Sequence, residues 1–286
     1  MTGRETSAAT ISPRGYSRSI RGIGFRSGWQ NTHRHWLKNV KNIPTVYLDR
    51  RVLITGASRG VGAALTEWLA DNGAHVLAVG RSTENLSRSR VKYLALDLSS
   101  QENTSKLVQH ANEFGPDTVV HALGGGFGLS NDLVTPEDFL HLVQLNFLVS
   151  LQINNSLLPN MVAKQQGWIV HLGTVATREL TASVGYTCAK ALITPYVKHM
   201  GRKLVSDGVY ISGITLGAVT GQGGAIDRLK NKKPEVFQDF MKSRRPSARA
   251  TPLTELMPYF NLLLTDSAKL HASNMLCIDE AEGVAI

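Results

Sequence analysis

One stretch constrains this chain more than any other. Arg51-Val-Leu-Ile-Thr55 is a short β-branched apolar run, and Gly56-Ala-Ser-Arg-Gly60-Val-Gly62 follows it at once. An amphipathic pattern over about 60–72 comes next, then Gly73 and a second apolar run, His75-Val-Leu-Ala-Val79. Strand, glycine turn, helix, strand is a βαβ unit with a tight loop at its first junction. Glycines there let the backbone approach a pyrophosphate closely, and the helix behind them turns free N–H groups and a positive dipole end on that charge. Gly56, Ser58, Arg59, Gly60, Val61 and Gly62 are the candidate contacts. The spacing Gly-x3-Gly-x-Gly differs from the Gly-x-Gly-x2-Gly of ordinary dinucleotide folds.

The alternation continues down the chain. Further strands are expected at Lys92–Leu96, Thr118–His121, Trp168–Leu172, Val209–Ile214 and Met275–Ile278. Helical patterns separate them at about 99–113, 136–164, 184–206 and 252–264. Strands spaced by helices imply a parallel sheet covered on both faces. The expected fold is α/β: a doubly wound, Rossmann-type parallel sheet forming one domain over 46–286. No run of 18 apolar residues spans a membrane. Cys188 and Cys277 are too few for a disulfide scaffold or a structural zinc, and both read as small buried thiols. A cytoplasmic enzyme-sized domain is the resulting expectation.

The formal charge of +9 suggests nucleic acid until it is placed along the chain. Residues 1–49 hold eight Lys/Arg against only Glu5 and Asp49, so most of the excess sits there. Residues 1–45 therefore read as a basic extension, Arg- and Ser-rich and acid-poor, with an organellar transit peptide as the alternative. Trp29, Trp36 and Leu37 would fit a short helix over 29–41. No DNA-reading motif accompanies the charge, so neither nucleic acid nor membrane is expected as a partner.

The end of the second strand bears on which dinucleotide binds. NAD-binding folds usually place an acid there for the ribose 2′-OH. This chain has Val79-Gly80-Arg81-Ser82 instead. Arg81, with Arg59, can form charge-assisted bonds to a 2′-phosphate, so NADP(H) is the expected cofactor. Asp97-Leu98, after the third strand, would meet the adenine edge. Farther on, Tyr186-Thr-Cys-Ala-Lys190 puts a phenol and an ammonium on one helix face. A free Tyr titrates near ~10 and is a poor acid–base group at neutral pH, so a neighbouring cation matters. Thr174 follows a strand twelve residues upstream, and Asn146 lies in the preceding helical segment.

With these motifs in this order, residues 50–280 resemble the short-chain dehydrogenase/reductase family, and most closely reductases of the 3-oxoacyl-(acyl carrier protein) type. The resemblance implies a catalytic group in which Tyr186 exchanges the proton, Lys190 lowers its effective pKa and holds the nicotinamide ribose, Asn146 anchors a water, and Thr174 bonds the substrate oxygen. It also implies cofactor contacts from Ser82, Ala122, Gly124 and Val219. Four positions depart from the family pattern. Thr174 stands where Ser is usual, and the Thr174–Tyr186 spacing is one residue short. His121-Ala-Leu-Gly124 replaces Asn-Asn-Ala-Gly, and Leu216-Gly217 replaces Pro-Gly.

Family members carry a substrate-covering lid after the sixth strand. Here Gly221–Arg249 holds Arg228, Lys230, Lys232, Lys233, Lys242, Arg244, Arg245 and Arg249 against Asp227, Glu235 and Asp239. Such a lid would attract an anionic or carrier-linked carbonyl substrate, or would be a solvated amphipathic helix. Gly124–Gly128 would shape the same pocket. The nine histidines show no metal spacing, and no metal is expected; His121 would sit at a strand end. A carbonyl/alcohol oxidoreductase is the main reading, with a non-catalytic dinucleotide-binding regulator as the alternative. The apolar surface of 136–164 and 184–206 points to a homodimer or homotetramer.

Overall fold

The computed structural model describes residues 47–82 and 88–284. The expected helix over 29–41 lies outside them. Seven parallel strands build the main sheet: β1 (Arg51–Thr55), β2 (His75–Gly80), β3 (Val91–Ala95), β4 (Thr118–His121), β5 (Gly167–Thr174), β6 (Val209–Leu216) and, last in the chain, Met275–Ile278. Two short strands precede that last one, β7 (Val219–Thr220) and β8 (Thr251–Pro252), which pair with each other, so it is β9. The main sheet has the order β3-β2-β1-β4-β5-β6-β9.

The near-continuous apolar strands follow from burial on both faces. Val52, Leu53 and Ile54 of β1 are fully buried. On one face, α1 (Gly60–Asp71) sets Leu65 and Leu69 in the same core as Phe260 and Leu263 of the late helix Met257–Leu263. On the other face lie Leu107 and Ala111 of α2 (Gln101–Phe114) and, farther along the chain, Ile153, Leu157, Ile193 and Val197. Each fully buried Leu or Ile contributes roughly 1.5–3 kcal/mol. From β1 the chain winds outward through β2 and β3, and from β4 it winds the other way. The reversal opens a crevice at the carboxyl ends of β1 and β4, where such sheets take ligands.

The two long helical patterns are each interrupted. Over 136–164 the chain runs as α3 (Pro136–Val143), a π-helical stretch at Gln144–Leu148, and α4 (Val149–Ala163). Such insertions widen the turn and recur at functional sites. A short turn of helix, α5 (Ala176–Glu179), precedes the second pattern. That pattern splits at Leu192 into α6 (Val184–Ala191) and α7 (Ile193–Leu204). Pro195 has no N–H to offer the carbonyl of Ala191, which accounts for the break. The lid is α8 (Ala225–Lys232) and α9 (Pro234–Arg244); the expected 252–264 helix starts as a 3₁₀ turn and becomes α10 at Met257–Leu263. β5 and β6 outrun their apolar runs, their ladder reaching Thr174 opposite Leu216.

Both cysteines are exposed, contrary to expectation. Cys188 is on the outward side of α6, whose Gly185 and Ala189 face inward. Cys277 is in β9, an edge of the sheet, where one flank has no neighbouring strand among the described residues. Among the described residues no helix is long and apolar enough to cross a membrane, and no cluster of metal-binding side chains occurs.

Candidate active site and cofactor cleft

A cleft of about 1220 Å³ runs over the carboxyl ends of the central strands. At one end it is lined by Gly56, Ser58 and Arg59 of the loop after β1 and by Gly60, Val61 and Gly62 of the first turn of α1. Gly56 has φ +73°, and a Cβ on it would lie 2.7 Å from the backbone of Ala122. Glycine is required there twice over, by conformation and by space. Helix α1 starts with no side-chain cap and no acid in its first turn, so its N-terminal N–H groups and dipole are available to an anion.

Arg81, Ser82, Asp97 and Leu98 line the same end, after β2 and β3. The Ser58 hydroxyl bonds the Ser82 carbonyl at 3.1 Å, tying the two loops together. Arg59 has its pKa lowered by partial burial and then by two nearby guanidinium groups, Arg228 and Arg81. Three like charges brought together suit a phosphate, even with Asp97 close enough to Arg81 to feel its charge. Arg228 is the member of this cluster that sequence reading assigned only to the lid; α8 folds back to bring it here. The Asp97 carboxylate is held below its usual range chiefly by the backbone N–H of Ser99.

At the other end the cleft is walled by Ala122, Gly124, Thr174, Tyr186 and Val219. Tyr186 shares a side-chain hydrogen bond with Thr174. Burial pushes the phenol above its ordinary value and the Thr174 bond opposes this, so the phenol is protonated at neutral pH. The expected lowering by Lys190 is not among the causes of this shift. Lys190, one turn on, is buried and donates to the Leu172 carbonyl at 2.9 Å. Desolvation brings its pKa down to about 8.

Asn146 and Lys190 do not line the cleft itself but a small cavity beneath it. The Asn146 side chain clasps the glycine loop: Oδ1 accepts from Gly125 N at 2.9 Å, and Nδ2 donates to Gly125 O at 3.0 Å and Leu142 O at 2.9 Å. Gly124 has φ +156°, and a Cβ there would come within 2.6 Å of Lys190 Nζ and 2.7 Å of Asn146 Oδ1. The loop Gly124–Gly128 thus seats both groups.

The lid is less basic toward the cleft than its composition suggests. Arg245 is buried, bonding Glu282 Oε2 and Glu280 Oε2, each at 3.1 Å, and Thr251 Oγ1 at 2.9 Å. Arg249 pairs with Glu255 and Glu280, and Arg244 lies 3.8 Å from Glu179. Lys230, Lys232, Lys233 and Lys242 face outward, while Ile226, Leu229, Val236 and Phe240 line the cleft. Glu282, which sequence reading missed, accepts from Ala218 N at 2.5 Å and fixes the turn between β6 and β7. Its carboxylate is 64 residues from that turn in the chain, and no local pattern signals it.

The sequence model of the short chain dehydrogenase family matches residues 50–229. An uncharacterized oxidoreductase of Staphylococcus aureus (strain USA300) is 24% identical over 208 residues, 68% of this chain and 90% of that protein. The 3-oxoacyl-[acyl-carrier-protein] reductase of Vibrio cholerae is 28% identical over 180 residues, 58% and 72% of the two chains. The 3-oxoacyl (acyl-carrier-protein) reductase of Agrobacterium tumefaciens C58, solved with NADP bound, superposes with a TM-score of 0.74 at 23% identity, covering 83% of this chain and 95% of that one. Similar folds have been solved with NADPH and with NADH. The match to the family model spans the glycine loop, strands β1 to β6, Tyr186 and Lys190: the chain belongs to the short chain dehydrogenase family and is one of its oxidoreductases.

Proposed function

We propose that the protein reduces a carbonyl to a secondary alcohol with NADPH, Tyr186 acting as the proton donor. The observation that carries this reading is a protonated phenol bonded to Thr174, one helical turn from a buried ammonium, at the far end of a cleft that begins in an uncapped helix and three arginines. The cofactor fits the residues present. Gly56, Ser58, Gly60, Val61 and Gly62 would cradle its pyrophosphate, Arg59, Arg81 and Arg228 its 2′-phosphate, and Asp97 and Leu98 its adenine. Ser82, Ala122, Gly124 and Val219 complete the wall. When bound, the reduced nicotinamide supplies a hydride.

The chain's own residues do the rest. Thr174 orients the substrate oxygen, and Tyr186 gives that oxygen its proton as negative charge develops there. A phenol pushed up by burial is in the acid form this direction requires. The Lys190 ammonium stabilises the phenolate left behind and offers a donor to the cofactor ribose. Asn146, by holding Gly125 and with it the loop that packs on the ammonium, keeps Lys190 in place.

Substrate class follows from the lid. Apart from Arg228 at the arginine cluster, its large cleft-facing side chains are apolar, and its outer face is cationic. That pairing suits a carbonyl next to an apolar chain, such as a 3-oxoacyl thioester delivered by an acidic carrier. Two-fold assembly through 136–163 and 184–204 accords with Leu148 and Leu192, which are partly exposed on those segments.

The test is oxidation of NADPH or NADH by the purified protein with a panel of ketones that includes a 3-oxoacyl thioester. NADPH consumption with formation of a secondary alcohol is expected. Tight NADPH binding with no turnover across the panel would favour a regulatory dinucleotide-binding protein instead.

A further inference from the structure

We propose that a buried histidine pair behind Lys190, His121 and His171, holds an internal water against the lysine ammonium, orienting it and favouring its charged form. This rests on reading Tyr186 and Lys190 as the acid–base pair. The register of β4 against β5 sets His121 opposite His171, with ring centroids 4.6 Å apart. Both rings turn Nε2 to the amide of Asn154 on α4, at 2.8 Å to Oδ1 and 3.2 Å to Nδ2. Asn154 Nδ2 also reaches the Tyr196 hydroxyl at 3.1 Å. An amide offers one ring an acceptor and the other a donor. One histidine must therefore carry its proton on Nε2 and the other on Nδ1. Whichever way the amide is turned, the two Nδ1 atoms are one bare acceptor and one N–H donor.

Both Nδ1 atoms are buried and have no hydrogen-bond partner among the described residues. Buried polar groups of this kind are normally satisfied, often by an internal water. A cavity of about 10 Å³ is lined by both rings and Lys190, with Asn146, Thr55 and Ser150 among its other walls. Asn154, which holds the Nε2 atoms, does not line it. That is the room one water needs, with two to four polar partners around it. Such a water accepts from one Nδ1–H, donates to the other Nδ1, and keeps a lone pair for Lys190. The ammonium gives one hydrogen to the Leu172 carbonyl, which leaves it donors for this water and for the cleft.

The pair can do this only while neutral. Burial brings His121 down to about 4 and holds His171 well below its ordinary value. The titratable groups that share the cavity with Lys190 are His121 on β4 and His171 on β5, both of which feel its charge; Tyr186 is one turn back on its own helix, and no carboxylate of the described residues lines the cavity.

The test is the titration of Lys190 by NMR of lysine-labelled protein, its signal assigned by loss in Lys190→Met. His121→Gln keeps a polar atom near Nε2 for Asn154 and deletes the cavity-facing nitrogen. His121→Asn does the reverse. His121→Gln should lower the Lys190 midpoint by about one unit, the scale of one lost bond to a charge. It should move the alkaline limb of kcat by as much, whereas His121→Asn should leave both near wild type. Equal shifts in the two variants, or none, would overturn the proposal. Imidazole ¹⁵N spectra of the wild-type protein give a second readout that needs no variant. One ring protonated on Nδ1 and the other on Nε2 is expected, and identical tautomers or a charged ring at pH 7 would contradict it. The titration needs no substrate, so absence of turnover would sink the reductase reading without touching this one.

Discussion

The two ends of the cleft solve opposite electrostatic problems. At the entrance, Arg59 and Arg81 are exposed, sit on loops, and gather positive charge where water can still reach it. At the far end, Lys190 is buried, and Tyr186 is largely shielded, on a helix packed against the sheet. The first arrangement suits an anion by surplus charge and would survive small shifts of geometry. The second depends on desolvation: the same burial that raises the phenol brings the ammonium down. On the proposed function, selection of the cofactor and movement of the proton therefore rest on different physics, and each should be open to perturbation without the other.

The largest effect should come from the far end. Tyr186→Phe keeps the ring but removes the transferable proton, and should cost ~10²–10⁴-fold in kcat, measured at saturating substrate. At the entrance, Arg81→Asp replaces an attraction by a repulsion. NADPH should bind about 30-fold more weakly by fluorescence titration, equivalent to roughly 2 kcal/mol, with little change for NADH.

Burying Lys190 has a stability cost that can be measured. Its folded pKa, about 8, lies below its unfolded one. Below pH 8 the ammonium is charged in both states and the desolvation penalty is fully present. Between about 8 and the ordinary lysine value the unfolded chain holds the extra proton, so this group's contribution to stability rises with pH. Lys190→Met should accordingly be more stable than wild type at pH 7, by about 2 kcal/mol in denaturant unfolding. That advantage should shrink toward pH 10. The smallest effect belongs to Thr174→Ser, which keeps the hydroxyl and should be nearly neutral in kcat. Thr174→Val should cost about tenfold or more, as one lost bond to a developing charge does.

How far these features were legible in the sequence follows the same division. The entrance is built from short contiguous segments. The glycine loop and the ends of β1 and β2 carry their chemistry in order, and β4 and β9 fall where their apolar runs lie. Tyr186 and Lys190 were legible because a helical turn relates them. What escaped was tertiary. Arg228 meets Arg59 only because the lid folds back, and Arg245 is lost to Glu280 and Glu282 near the other end of the chain. His121 faces His171 only through the β4–β5 register. The exposure of Cys277 required knowing that β9 is an edge strand. Periodicity places residues on a face, but cannot say which distant face it meets.

The most direct test crosses the two ends: NADPH affinity of Tyr186→Phe, and kcat of Arg81→Asp at saturating NADPH. Separate physics requires that Tyr186→Phe bind NADPH as wild type does while turning over poorly. It requires equally that Arg81→Asp regain near wild-type kcat once enough cofactor is supplied. Retention of most activity in Tyr186→Phe, folded and loaded with NADPH, would contradict the assignment of the proton donor. A kcat in Arg81→Asp that saturating NADPH fails to restore would contradict the division itself.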